Sequence, residues 1–161
     1  MNGVGAGTDI VIRPVRTEDA PALREMRREA GWHEEMVPEW IAESRAGRRP
    51  TWVAVLEAQP VGMVSLEFED PDPEVADGRS IAAVTSLAVL ARAGRRGIGR
   101  ALTVFAEEQA RSRGVEVLTL NTRPTNAAAV ALYEGLGYRR WKEQPRSWGL
   151  AVFLRKRLLP P

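Results

Sequence analysis

Nine consecutive residues, Gly94-Arg95-Arg96-Gly97-Ile98-Gly99-Arg100-Ala101-Leu102, constrain this chain more than any other stretch. Upstream lies an apolar run, Ile81 to Val89, with the length and character of a strand. Downstream, Ile98, Ala101, Leu102, Phe105, Ala106 and Ala110 recur at helical spacing, which predicts a long helix to about Arg113 closed by Gly114. A strand feeding a glycine turn that opens a helix is anion-binding geometry. Glycines let the backbone approach a ligand closely, and the unpaired N–H groups of the first helical turn face it with the helix dipole behind them. Arg95, Arg96 and Arg100 add positive charge at the rim. The same residues also suit a plain solvated turn. No Gly-Lys-Ser/Thr follows, so this is not a nucleotide P-loop. The position three after Gly99 is Leu102, which spoils a dinucleotide fingerprint.

Composition narrows the chemistry. Without cysteine, the chain has no disulfide, thiolate metal site or cysteine nucleophile, and a single histidine, His33, excludes a multi-histidine metal site. The balance of 23 basic and 21 acidic residues is too even to argue for nucleic acid, although Arg95, Arg96, Arg100, Arg111 and Arg113 would be its natural contacts. Acidic residues gather instead at Asp70, Asp72, Glu74 and Asp77. No apolar run is long enough for a membrane span and no leader pattern opens the chain, so a cytoplasmic location and no membrane partner are expected.

Along the chain, Met1 to Asp9 is glycine-rich and expected to be disordered, ahead of one domain over 10–158. Ile10 to Pro14 reads as a strand. Thr17 is the expected N-cap of a helix to Ala30, with Ala22, Leu23, Met26 and Ala30 inward and Gly31 ending it. Pro38 starts a second helix. Thr51 to Glu57 and Val61 to Phe68 form a hairpin through Ala58-Gln59-Pro60, and a polar loop leads to the strand Ile81 to Val89. After the long helix come a strand over Val115 to Leu120, a helix over Asn126 to Leu136, and strands over Tyr138 to Lys142 and Trp148 to Leu154. This order predicts a three-layer α/β domain on a mixed sheet.

A second constellation is Asn126, Ala129, Leu132, Tyr133, Gly137 and Tyr138. Its spacing puts Ala129, Leu132, Tyr133 and Leu136 on one helical face, as a packing face would, with Asn126 as N-cap. Val89, then R-R-G-I-G-R-A-L, then N-x-x-A-x-x-L-Y-x-x-x-G-Y resembles the GNAT superfamily of acetyl-CoA-dependent N-acetyltransferases, most of all the ribosomal-protein alanine acetyltransferase type. The resemblance implies a mostly antiparallel mixed sheet flanked by helices. It implies that the backbone of Leu87, Ala88 and Val89 pairs with the pantetheine arm of acetyl-CoA, and that Arg95, Arg96, Gly97, Ile98, Gly99 and Arg100 cradle the pyrophosphate. It implies that Asn126 hydrogen-bonds the arm and that Tyr133 gives a proton to the departing thiolate. The co-substrate would lie where the fourth and fifth strands splay apart.

The implied reaction is transfer of an acetyl group to a primary amine, on a small molecule or a peptide, by direct attack without a metal. The alternative is an acyl-CoA-binding module without turnover. Dimers are common among similar proteins. Three positions depart from the pattern. Gly94 replaces the usual Arg or Gln that opens the loop, while Thr85 and Asn121 stand where relatives carry glutamate. Glu34, Glu35, Glu67, Glu69 and His33 are the remaining candidates for a base. Trp32, Trp40, Trp141 and Trp148 fall in the regions that shape the family's acceptor groove, and suit either packing or a cation-binding lining.

Overall fold

The computed structural model describes residues 9–160, so all but Asp9 of the segment expected to be disordered lies outside the described residues. The element order is β1 (Ile10–Pro14), α1 (Ala20–Ala30), α2 (Val37–Arg45), β2 (Thr51–Leu56), β3 (Gln59–Glu67), β4 (Ile81–Val89), α3 (Ile98–Ser112), β5 (Val117–Thr122), α4 (Ala127–Gly135), β6 (Arg139–Arg146) and β7 (Gly149–Arg157). Short 3-10 turns precede α1 and α3. The strands form one mixed sheet in the order β1-β2-β3-β4-β5-β7-β6, with β4 and β5 parallel and β1-β2, β2-β3, β5-β7 and β6-β7 antiparallel. The expected fold class is the one observed. Among the described residues no helix is long and apolar enough to cross a membrane.

The residues group into two compact units. One holds the chain up to Glu67 together with Ser86–Ala106. Its core is Ile10, Ile12, Leu23, Met26, Val53, Met63, Leu90, Ile98 and Leu102. The other holds Phe68–Thr85 and Glu107–Pro161. Leu118, Leu120, Tyr138, Phe153 and Leu154 are buried in it, with Trp141 packed edge-on to Phe153 at 5.7 Å.

Three local expectations are corrected. Thr17 does not cap α1. Asp19 turns its carboxylate back to the Arg16 N–H at 2.8 Å and to Arg13 at 2.7 and 2.9 Å, which shapes a 3-10 turn over Thr17–Asp19. The α-helix therefore starts at Ala20, with Pro21 in its first turn, where a missing N–H costs nothing. On its inner face Ala30 is exposed, and Arg27 is buried beside Leu23 and Met26. The β2–β3 hairpin turns on two residues, Glu57 and Ala58, both at positive φ, and not on Ala58-Gln59-Pro60. Such a turn matches the twist of its strands. Pro60 sits inside β3 next to an irregularity in the β2 register, where a strand tolerates a missing donor.

Candidate active site

In the first unit, the end of β4 from Ser86, the turn and the start of α3 follow the expected order. Gly62 on β3 is what lets α3 lie close: a Cβ there would come 2.9 Å from Leu102 Cδ1 and 3.2 Å from Ile98 Cγ2. The Gly97 carbonyl accepts the first helical bond, from the Ala101 N–H at 3.0 Å. The N–H groups of Ile98, Gly99 and Arg100 are thus those a helix leaves without an internal partner. Gly97 has φ +75°, and nothing lies within 4 Å of where its Cβ would be. Arg95 is also left-handed, at φ +62°. Two left-handed residues, 95 and 97, turn the backbone into the helix, while Gly99 lies within α3 itself. The side chains of Arg95, Arg96 and Arg100 are exposed, and Leu87, Ala88 and Val89 are half-buried. This open, positively flanked cradle on a fifteen-residue helix fits a pyrophosphate.

Upstream in the same unit, Ser86 stands within β4 at φ +53°. A serine held there costs on the order of 1–3 kcal/mol and marks a backbone set by its surroundings. Its hydroxyl accepts from two guanidiniums, Arg27 Nη1 at 3.2 Å and Arg49 Nη2 at 3.0 Å. Both guanidiniums stack on Trp40, 4.2 and 3.9 Å from its ring centre. Arg27 also donates through Nε to the His33 carbonyl. The left-handed Gly31 ends α1 and sends the Trp32 N–H back to the Arg27 carbonyl at 2.8 Å, which brings Trp32 within 5.2 Å of the Arg27 guanidinium. The sequence reading passed over Arg27, Arg49 and Ser86. A charged residue within the Leu23–Met26 face was the available signal for Arg27; nothing local marks the other two.

In the second unit, Asn126 caps α4 as expected, its Oδ1 accepting from the Ala129 N–H at 3.2 Å. Its side-chain NH₂ is left to donate. Val130, absent from the expected inner face, is buried together with Tyr133. Tyr133 is 7% exposed and meets Tyr138 edge-on at 6.1 Å. None of the hydrogen bonds among the described residues uses its hydroxyl. Burial pushes its pKa up to about 12, so it stays a proton donor at neutral pH. Tyr138 is spent elsewhere: its hydroxyl donates to buried Glu107 at 2.8 Å, which also accepts from Lys156.

The candidate bases sort clearly. Glu34 is clamped by Arg28 at 2.8 and 2.9 Å, and those hydrogen bonds hold its carboxyl below the usual range. His33 and Glu35 face solvent, 3.7 Å apart. Glu67 lies 3.6 Å from Arg49. On β4 the Thr85 Oγ1 is buried without a hydrogen-bond partner. Asn121 is half-buried on β5.

The acidic loop lines an open cavity of about 420 Å³ between Glu69 and Asp77. Its carboxylates are spent on structure: Asp77 accepts from the N–H groups of Arg79, Ser80 and Ile81, and Asp72 pairs with Lys142 at 2.5 Å. Among the described residues no group of three or more His, Asp or Glu is placed to hold a metal ion. Each of the four tryptophans has a cationic side chain of the protein near its ring, while Trp32 and Trp148 stay partly open to solvent. Trp32 and Trp40 hold Arg27 and Arg49, Trp141 lies against Arg155 and Lys142, and Trp148 against Arg123 at 4.8 Å.

Sheet order, the left-handed Ser86 within the fourth strand and the glycine turn at the start of α3 define the class: a mixed α/β fold of the acyl-CoA transferase type. Residues 17–138 match the model of the acetyltransferase (GNAT) family, and the chain belongs to that family. It is 30% identical over 134 residues to the mycothiol acetyltransferase of Amycolatopsis mediterranei, covering 79% of this chain and 44% of that protein. It is 50% identical over 44 residues to the ribosomal protein bS18-alanine N-acetyltransferase of Escherichia coli, covering 27% of this chain and 30% of that protein. The chain thus spans less than half the length of these curated relatives. Among solved structures, the ribosomal-protein-alanine N-acetyltransferase from Brucella melitensis superposes with a TM-score of 0.80 at 26% identity, covering 92% of this chain and 99% of that one.

Proposed function

We propose that the chain transfers an acetyl group from acetyl-CoA to a primary amine in a ternary complex. The observation that carries this reading is the cradle at Gly97, open where a side chain would stand and backed by the N-terminus of α3. Acetyl-CoA supplies an activated thioester. The N–H groups of Ile98, Gly99 and Arg100 bind the pyrophosphate, with Arg95, Arg96 and Arg100 screening its charge. The backbone of Leu87, Ala88 and Val89 pairs with the pantetheine arm, and the free amide NH₂ of Asn126 donates to that arm. A backbone N–H of β4 donates to the carbonyl oxygen as it takes up charge. The amine nitrogen forms the new C–N bond as the C–S bond breaks. Tyr133, kept protonated by burial, gives its proton to the thiolate and is restored by the proton that the amine loses. The Thr85 hydroxyl, buried without a partner, holds a water that relays the amine's proton on its way to Tyr133.

Calorimetry with acetyl-CoA, followed by thiol release across an amine panel, tests the proposal. Binding with turnover is expected, and no binding at millimolar acetyl-CoA would end it. The second reading, a binding module without turnover, is favoured by the lack of a carboxylate at Thr85 and Asn121. Tight binding with no thiol release on any amine would select it.

A further inference from the structure

Arg27 is a buried cation without a counter-charge. It is 7% exposed, and its interactions are with the His33 carbonyl, the Ser86 hydroxyl, Trp32 and Trp40. Among the described residues no carboxylate touches it. The charge that acts on it is a second cation, Arg49: burial, then repulsion from Arg49, pull its pKa down to about 10. Arg49 is itself only 12% exposed in its side chain, and its Nε is buried with no partner. Among the described residues Glu67, at 3.6 Å and 38% exposed, is the single carboxylate within 4 Å of either guanidinium, and Glu43 acts on Arg49 only at longer range. Two guanidiniums against one carboxylate leave about one positive charge in excess, on groups with little access to water. A folded chain seldom holds such charges unpaired, because desolvating an unpaired ion costs several kcal/mol. Their donors converge on one oxygen, Ser86 Oγ, at the left-handed residue of β4. A hydroxyl that accepts twice still has its own proton to donate.

We propose that Arg27, Arg49 and Ser86 form a carboxylate-recognition site that selects an acceptor carrying an anionic group beside its amine, the chemistry of a free amino acid. This rests on the acetyl-transfer reading above. One excess positive charge matches a singly charged carboxylate, whereas a phosphate dianion would overcompensate it. The planar guanidinium fork matches a carboxylate geometrically. A peptide N-terminus offers a neutral amide at the same place, so the site discriminates against peptides.

The test compares each amino acid with its own amide as acceptor, at saturating acetyl-CoA, by thiol release. The free acids should be preferred by roughly 10–100-fold in kcat/KM, the worth of one or two charge-assisted hydrogen bonds. Arg49→Met should collapse that acid-to-amide ratio towards one through KM. Arg49→Lys, which keeps the charge and the fold but loses the fork, should reduce it partially. Equal use of acids and amides by the unaltered protein, or a ratio unmoved by Arg49→Lys, overturns the site. Fluorescence of Trp32 and Trp40 during titration with the same compounds reads binding without turnover. Saturable quenching by acids alone, with no thiol release on any acceptor, would retain the carboxylate site and overturn acetyl transfer. No quenching by any acid would overturn the carboxylate site whether or not amines are acetylated.

Discussion

At Tyr133 one oxygen atom separates two roles. The ring is packed against Tyr138, and the hydroxyl takes part in no hydrogen bond among the described residues. Tyr133→Phe therefore keeps the packing and removes only the proton donor. Turnover is expected to fall by about 10²–10⁴-fold with thermal stability unchanged, measured as initial rates beside a melting curve. Wild-type turnover in the Phe variant would make Tyr133 a core residue, for which only Tyr133→Ala does harm, by about 3–5 kcal/mol. Gly97 gives the complementary residue test. Its φ of +75° disfavours any side chain, and a branched one would fill the space open to the pyrophosphate. Gly97→Val should weaken acetyl-CoA binding in calorimetry by at least about tenfold, with a far-ultraviolet spectrum like that of the parent. Unchanged affinity would show that the turn is only structural.

Elements are held in place by a few polar or close-packed points. Asp19 ties the end of β1 to the start of α1 through Arg13 and the Arg16 N–H. Burial alone would raise its pKa, but those hydrogen bonds and the Arg13 charge outweigh it and hold the carboxyl below its usual value. The sign follows: its stabilisation is fully present above about pH 4, the unfolded value, and is lost as pH falls through the lower folded value. Asp19→Ala should cost about 1.5–3 kcal/mol in urea denaturation at pH 7, and the gap between variant and parent should narrow as pH falls through the lowered folded value. The contact of α3 with β3 depends on Gly62. Gly62→Val forces Leu102 and Ile98 aside, at an expected cost of about 1–3 kcal/mol, and disturbs the helix whose N-terminus forms the cradle. A Gly62→Val variant as stable as the parent would show that α3 has room to shift.

For the whole molecule, acetyl-CoA binding is expected to appear as stability. At 100 times its Kd it should add about 2.7 kcal/mol to unfolding and raise the melting temperature with concentration; no shift at that excess would contradict binding to the folded chain. The sequence by itself determined the element order, the strand-turn-helix cradle, the Asn126 cap and the family. Those features depend on residues close in the chain, through periodicity, glycine backbone freedom and helix-end hydrogen bonding. It misread the start of α1 and the β2–β3 turn, because Asp19 answers to Arg13 and because Glu57 and Ala58 take a left-handed conformation that their residue types do not announce. Only the tertiary structure decided what Arg27, Arg49, Ser86 and the tryptophans do. Arg27 and Ser86 are 59 positions apart and Arg49 and Ser86 are 37 apart. The balance between charge, burial and counter-charge at such a point exists only after folding has removed the water between them.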